Sequence, residues 1–290
     1  MAGVSNPTRR GSTYTGLYCM NVLNVGLDQT PLLQSLPKRF LFIDDGPLIE
    51  HLTFPSQPSA TFLNLKADHF NPVSDMTEMK ADAFIDIIDA TFPQGRSTLT
   101  NRYSNHIIFK ALLDNPQRLS TLVEPPANNK DIYQKDAFEK IERLLMYEVL
   151  EKVLDRPTNI SFTVRRQGKR DAHKTIIAKL NRAALGDRVC FVLANFLIAN
   201  YPGTVVIPDF GFYQCPFHIQ LIRDGRLIVG VNSLSEVPNF KQDLLLFDQK
   251  SASHCTLEDA ELLADYMGLY PDPTRADNPR NEFIQRAIST

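Results

Sequence analysis

The sequence contains no long hydrophobic run, although 43% of its 290 residues are hydrophobic. None of its apolar stretches approaches the ~20 residues that a transmembrane helix requires. The first ten residues, which end in Arg9 and Arg10, also lack the apolar centre of a secretory signal peptide. We therefore predict a globular intracellular protein without a membrane span.

Cysteine is scarce, and the four cysteines form no CxxC pair. Cys19 and Cys190 lie within apolar segments, which is typical of reduced thiols and not of a disulfide framework. The run from Cys215 to His218 has the spacing of metal ligands, but no second pair of ligands accompanies it, so a structural role is favoured over a zinc site. The motifs GxSxG, HExxH and GxGxxG are also missing, and no nucleophile–base pair is evident.

Neither sign of charge is in excess, since 31 Lys and Arg residues oppose 33 Asp and Glu residues. Any binding to nucleic acid therefore requires a local basic patch. One such patch lies between predicted strands at 159–164 and 175–180, at what we expect to be a hairpin tip. Its basic residues are Arg165, Arg166, Lys169 and Arg170. A solvated turn is the ordinary interpretation of this patch, and phosphate contact is the functional one.

A short β-branched run, Val205 to Ile207, is bounded by glycine and proline, which predicts a central strand covered on both faces. Asp209 follows it, at the edge where open α/β sheets bind their ligands. An apolar helix is predicted before this strand, over residues 183–200. The next strand, 226–231, ends at the polar residue Asn232.

The first part of the chain predicts a βαβ unit, with strands at 17–25 and 38–44 and a short helix at 32–36. The second strand ends in Asp44, Asp45 and Gly46. Two adjacent acids can hold a metal, but consecutive strand residues point to opposite faces. A solvated Asp-Asp-Gly turn is therefore an equally good interpretation.

Three consecutive helical patterns, after residue 78 and at 98–113 and 130–154, interrupt the alternation of strands and helices. They predict an all-helical insertion over residues 70–155. The remaining expectations are a flexible arm at 1–16, an α/β core at 17–69 and 156–268 with a short strand at 244–247, and an exposed tail at 269–290. The fold class is thus a three-layer α/β protein with a mostly parallel sheet.

Taken in order, these segments resemble the HerA/FtsK-type P-loop ATPases, which include DNA translocases, conjugative coupling proteins and virus packaging motors. The similarity covers residues 17–75 and 175–250, including Asp44-Asp45-Gly46, the turn Phe70-Asn71-Pro72 and the run from Val205 to Tyr213. It implies a P-loop NTPase-like fold. It also implies a site formed by the acid Asp209, the arginine-bearing segment that ends at Arg226, and the polar sensor Asn232.

The sequence departs from this family where the chemistry is concentrated. A working phosphate loop needs glycines, a lysine and a Ser or Thr hydroxyl. Residues 25–31 occupy that place, with Gly26 present but with Gln29 and Thr30 where the family has Lys and Ser or Thr. Asp28 adds a negative charge, and Asp209 is followed by Phe210 where the family has a second acid. These losses indicate decay of catalysis.

The leading hypothesis is a catalytically inactive ATPase-like subunit of a DNA-handling or mobile-element assembly from a phage or plasmid. It needs no cofactor, contacts DNA through the basic hairpin, assembles with other protein subunits, and resides in the cytoplasm or in a virion. One alternative is an active ATPase that uses ATP and Mg²⁺ with an unconventional loop or one completed by a partner chain. Another is a metal-dependent small-molecule enzyme that uses Asp44, Asp45 and Asp209.

Overall fold

The structure is a computed structural model that describes residues 21–45, 48, 60–93, 97–114, 116–127, 130–166, 169–237, 243–270 and 278–289. Between residues 164 and 172 it describes only the backbone. The predicted arm at 1–16 lies outside the described residues, so it stays a prediction.

The centre of the molecule is a seven-stranded sheet in which every described strand pair is parallel. The nine strands of the chain are β1 (Val22–Val25), β2 (Phe40–Asp44), β3 (Thr61–Phe62), β4 (Thr163–Arg166), β5 (Lys169–His173), β6 (Ile176–Lys179), β7 (Thr204–Ile207), β8 (Leu227–Val231) and β9 (Gln249–Ala252). Across the sheet the order is β3-β6-β2-β7-β8-β1-β9, and β4 pairs only with β5. The predicted α/β class with a parallel sheet is confirmed.

The helices flank this sheet and extend it on one side. They are α1 (Thr30–Gln34), α2 (Glu78–Thr91), α3 (Thr98–Leu113), α4 (Ile132–Leu145), α5 (Glu148–Leu154), α6 (Arg182–Leu185), α7 (Asp187–Asn200), α8 (His218–Arg223), α9 (Leu257–Tyr266) and α10 (Pro279–Ser289). Among the described residues, no helix combines the length and apolar character that crossing a membrane requires.

Alternating side chains of the strands explain the three layers. On β2, Leu41 and Ile43 belong to the large hydrophobic cluster that also contains the buried residues of α7 and of the helices α2 to α5. Phe40 and Phe42 point the other way, into a smaller cluster with Leu32 of α1. Both faces of the sheet are therefore buried, as parallel sheets require.

The described part of residues 70–155 holds four α-helices and no strand, as predicted. These helices pack on the sheet layer through α7, where the rings of Phe84 and Phe196 lie 5.0 Å apart. The single helix predicted at 130–154 is two helices, α4 and α5, because Tyr147 adopts an extended backbone conformation. The helix predicted from residue 183 likewise begins as the separate turn α6, since Gly186 has a φ of +82°.

The insertion contains a buried polar cluster around Lys140 of α4, whose side chain is 1% exposed. Its Nζ donates to Asn101 Oδ1 at 2.6 Å and to Ser104 Oγ at 3.2 Å, both on α3. It also pairs with Asp89 of α2 at 3.4 Å and with Asp136 at 3.8 Å. One ammonium group thus links three helices.

Three local predictions are wrong. The hairpin partner of β4 is β5 and not the segment 175–180, because that segment forms β6 inside the main sheet. Residues 244–247 form a helical turn, and the edge strand is β9 just after them. The predicted exposed tail contains α10, which packs on α9 and β9; there, the backbone N–H of Cys255 donates to the carbonyl of Ala287 at 3.0 Å.

Candidate functional site

The candidate site lies where strands β1, β2, β7 and β8 end, at one edge of the parallel sheet. Gly26 follows β1, Asp45 follows β2, Asp209 follows β7 and Asn232 follows β8. Because carboxyl ends of parallel strands meet at one edge, the topology brings these residues together, as the sequence predicted.

Gln29 fills the interior of the loop that joins β1 to α1, and only 7% of the residue is exposed. Its amide Nε2 donates to the carbonyl oxygens of Gly26 and Val231. Its Oε1 accepts a hydrogen bond from Nδ2 of Asn24 at 3.0 Å. Every polar atom of this side chain is therefore used within the protein, directly under the loop.

The backbone of the same loop is also held by neighbouring strands. The N–H of Gly26 donates to the carbonyl of Val231 at 2.8 Å, and the N–H of Leu27 donates to that of His254 at 3.4 Å. Gly26 has a φ of +124°, and a Cβ there would lie 1.8 Å from the carbonyl oxygen of Ser253. Two N–H groups that a phosphate cradle would offer to its ligand are thus committed to carbonyls.

The entrance of the loop is negatively charged. The Asp28 carboxylate accepts a hydrogen bond from the backbone N–H of Thr30 at 2.8 Å. Hydrogen bonding by Thr30 holds the pKa of Asp28 below its usual value, which keeps this carboxylate ionised. Thr30 itself is exposed at the first position of α1.

Arg182 of α6 gathers the acids at the neighbouring strand ends. Its guanidinium contacts Asp45 at 3.4 Å, Asp187 at 3.2 Å and Asp209 at 3.4 Å. The guanidinium carbon also lies 3.5 Å from the centroid of the Phe212 ring. Asp209 additionally accepts from the backbone N–H of Phe212 at 3.2 Å. The acid predicted to be catalytic is therefore part of an ion-pair cluster, which we call the Arg182 cluster (Asp45, Arg182, Asp187 and Asp209).

Burial raises the pKa of the Asp45 carboxyl; Arg182 opposes this shift and Asp209 adds to it. Tyr213 lies beside the cluster with its ring 4.6 Å from that of Phe212. Its residue is completely buried, and its hydroxyl has no hydrogen-bond partner among the described residues. Burial raises the pKa of Tyr213, and the charge of Asp45 acts in the same direction, so the hydroxyl stays protonated.

Two predicted site residues are not brought to this edge. Arg226 precedes β8, so it lies at the opposite edge of the sheet, where its Nε donates to the carbonyl of Gly203 at 3.0 Å and its Nη2 donates to that of Tyr201. Asn232 does lie at the site edge, half-buried. The basic side chains of the β4–β5 hairpin (Arg165, Arg166, Lys169 and Arg170) lie outside the described side chains.

The proposed metal set of Asp44, Asp45 and Asp209 is not assembled. Among the residues that the structure describes, no three His, Cys, Asp or Glu side chains form a group that could hold a metal ion. The sequence reasoning also missed Arg182 and Tyr213. The signal for Arg182 was its place just beyond β6, since a neighbouring parallel strand ends at the same edge as β2.

Comparisons with known proteins show similarity only in structure, since no family model and no curated protein matches the sequence. The bacterial conjugative coupling protein TrwBdeltaN70, in an unbound form, matches with a TM-score of 0.52 and 11% identity, over 88% of this chain and 76% of that chain. The plasmid coupling protein TrwB in complex with ADP and Mg²⁺ matches with a TM-score of 0.51 and 11% identity, over 85% of this chain and 74% of that chain.

The chain has the fold of the HerA/FtsK-type P-loop ATPases. Within this ATPase-like fold, Gln29 lies in the loop after β1, where the resemblance predicted a phosphate loop. The Arg182 cluster lies at the ends of β2 and β7, where the resemblance predicted the catalytic acids. The two departures noted in the sequence therefore fall on one edge of the sheet.

Proposed function

We propose that the protein is a catalytically inactive, ATPase-like subunit of a DNA-handling assembly of a plasmid or phage. The observation that carries the inactivity is Gln29. Its buried amide occupies the interior of the loop after β1 and is hydrogen bonded to Asn24, Gly26 and Val231. A phosphate could enter only if these bonds broke and the loop rearranged.

Electrostatics support the same proposal. Four carboxylates, those of Asp28, Asp45, Asp187 and Asp209, lie along the site edge, and Arg182 is the cation that contacts the last three. A nucleoside triphosphate is itself strongly negative, so this edge repels it. A lysine in place of Gln29 would reduce that repulsion, but the sequence has none there.

The DNA-handling part of the proposal rests on the fold and on one basic segment. TrwB, which shares the fold, is a plasmid coupling protein. The segment around Arg165 and Arg170 is the most basic in the chain, and its backbone forms a two-stranded hairpin, β4–β5, outside the main sheet. We expect this hairpin to contact DNA phosphates, and we expect the protein to act with other subunits, either copies of itself or different chains.

The decisive experiment is isothermal titration calorimetry of the full chain with ATP, with and without Mg²⁺. We expect no saturable binding with a Kd below about 1 mM. Thr30→Ala, which removes the only hydroxyl in the loop 26–30, should leave the titration unchanged. Thr61→Ala, on the distant edge strand β3, is the matched control.

Saturable micromolar ATP binding that Thr30→Ala abolishes and Thr61→Ala preserves would contradict the proposal. It would favour an active ATPase with an unconventional loop. Binding that occurs only after a partner chain is added would favour a loop completed in an oligomer.

A further inference from the structure

The Arg182 cluster contains more negative than positive charge. Three carboxylates contact one guanidinium, and among the described residues Arg182 is the only cationic side chain in ion-pair contact with Asp45 or Asp209. Asp45 and Asp209 follow β2 and β7, which are adjacent in the sheet. Two strand-end carboxylates on adjacent strands are the kind of ligand pair that a divalent cation uses, with water completing its coordination.

A second observation also indicates a polar ligand at this place. The Tyr213 hydroxyl is completely buried beside the cluster and has no hydrogen-bond partner among the described residues. Buried hydroxyl groups are nearly always paired, so an unpaired one marks a position that a ligand oxygen, water or cation can serve. Phe212 contacts both this tyrosine ring and the Arg182 guanidinium, which fixes the two groups on one side of the cluster.

We propose that Arg182 is a built-in cation that excludes divalent metal ions from a latent site formed by Asp45, Asp209 and the Tyr213 hydroxyl. A guanidinium is always charged and is covalently attached, so its presence does not depend on ion concentration. The inference deepens the proposed function, on which it rests, because it gives the site edge a way to keep its acids together without metal or nucleotide.

The test is cation binding by full-length variants, with Tb³⁺ as the probe and Mg²⁺ as the competitor. The chain has no tryptophan, so Tb³⁺ emission under ultraviolet excitation reports a nearby tyrosine, and Tyr213 is the one beside the site. Arg182→Gln should bind Tb³⁺ at least about tenfold more tightly than the wild type, because one positive charge within about 4 Å of the ion is removed. Mg²⁺ should displace the Tb³⁺.

Two controls separate charge from general disturbance. Arg182→Lys keeps the positive charge and should behave like the wild type. Arg188→Gln removes an arginine that also lies over an aromatic ring, that of Phe92 at 5.6 Å, but on α7 away from the acids. This control should also behave like the wild type. The double variant Arg182→Gln/Asp209→Asn should lose the binding gained, and Arg182→Gln/Tyr213→Phe should lose the emission.

Equal Tb³⁺ affinity of the wild type and Arg182→Gln would overturn the inference. If Arg182→Gln is unfolded in metal-free buffer, folding on addition of Mg²⁺ supports the inference, and continued unfolding in Mg²⁺ contradicts it. These outcomes are distinct from a failure of the proposed function, which is read from ATP binding by the wild type.

Discussion

Gln29 and Gly230 depend on each other at the scale of single residues. A Cβ added at Gly230 would lie 2.0 Å from Gln29 Oε1 and 2.5 Å from the carbonyl oxygen of Pro208. The glycine on β8 is therefore the space into which the buried amide fits. The side chain that replaces the family lysine is thus matched by its neighbour on the next strand.

We predict that Gly230→Ala lowers the free energy of unfolding by about 1–3 kcal/mol, because the core is overpacked at this point. Adding Gln29→Ala should recover part of this loss, since it removes one of the two clashes and leaves Pro208. Urea denaturation of the two single variants and the double variant gives their coupling energy, expected to be about 0.5–3 kcal/mol.

The matched control is Gly203→Ala, whose Cβ would meet Tyr201 and His173 and not Gln29. Combined with Gln29→Ala, it should give additive losses. Additive losses for the Gly230 pair as well would contradict the proposed fit between amide and glycine.

The residue scale also shows the limit of sequence reasoning about the site. Gln29 and Asp209 could be placed at the edge because each follows a short buried strand with clear boundaries. The hydrogen bonds of Gln29 could not be predicted, since its partner Val231 is far away in the sequence. Arg182 was missed for a similar reason, because its acids follow two other strands.

At the scale of elements, the helical insertion depends on the buried ammonium of Lys140. This lysine joins α2, α3 and α4 through Asp89, Asn101 and Asp136. Removing one partner of a buried ion pair leaves the other charge without compensation, which is costly in a nonpolar interior. The cluster therefore makes the packing of the three helices cooperative.

We predict that Lys140→Met lowers the free energy of unfolding by about 3–5 kcal/mol. Lys135→Met, which removes an exposed lysine from the same helix, should cost less than about 1 kcal/mol because its ion pair with Glu139 is at the surface. Chemical denaturation followed by circular dichroism measures both values. A similar loss for the two variants would show that the buried cluster contributes little.

The elements that could be predicted are those whose signal is local. Strands β2, β7 and β8 are short apolar runs with turn residues around them, and α3 was predicted with its observed limits. The break between α4 and α5 could not be predicted, since neither glycine nor proline marks residues 146 and 147. Likewise, α10 follows a polar stretch with proline residues, and it is stabilised by α9 and β9, which the sequence does not reveal.

At the scale of the whole molecule, the net charge of −2 makes any attraction to DNA a local property. The β4–β5 hairpin is the one place where the sequence concentrates positive charge. We predict that the wild type binds DNA without sequence preference and that affinity falls steeply with salt. Arg165→Glu/Arg166→Glu should weaken binding and flatten the dependence on salt, by a slope of roughly 0.9 for each phosphate that the variant no longer neutralises.

Filter binding at two salt concentrations measures this slope. The control Lys135→Glu/Arg143→Glu makes the same change in net charge on an exposed face of α4, and it should leave the slope unchanged. Identical curves for the wild type and the hairpin variant would remove the support from charge for a DNA partner.

The position of β1 in the sheet has a consequence for biosynthesis. β1 hydrogen-bonds to β8 and β9, whose residues lie more than 200 positions later in the chain. During translation this apolar strand leaves the ribosome early and waits for partners until most of the chain has been made. Contacts of such long sequence separation slow folding and leave an unpaired strand exposed to aggregation. Folding of the loop that holds Gln29 is therefore among the last steps, and the nascent chain is a natural substrate for chaperones.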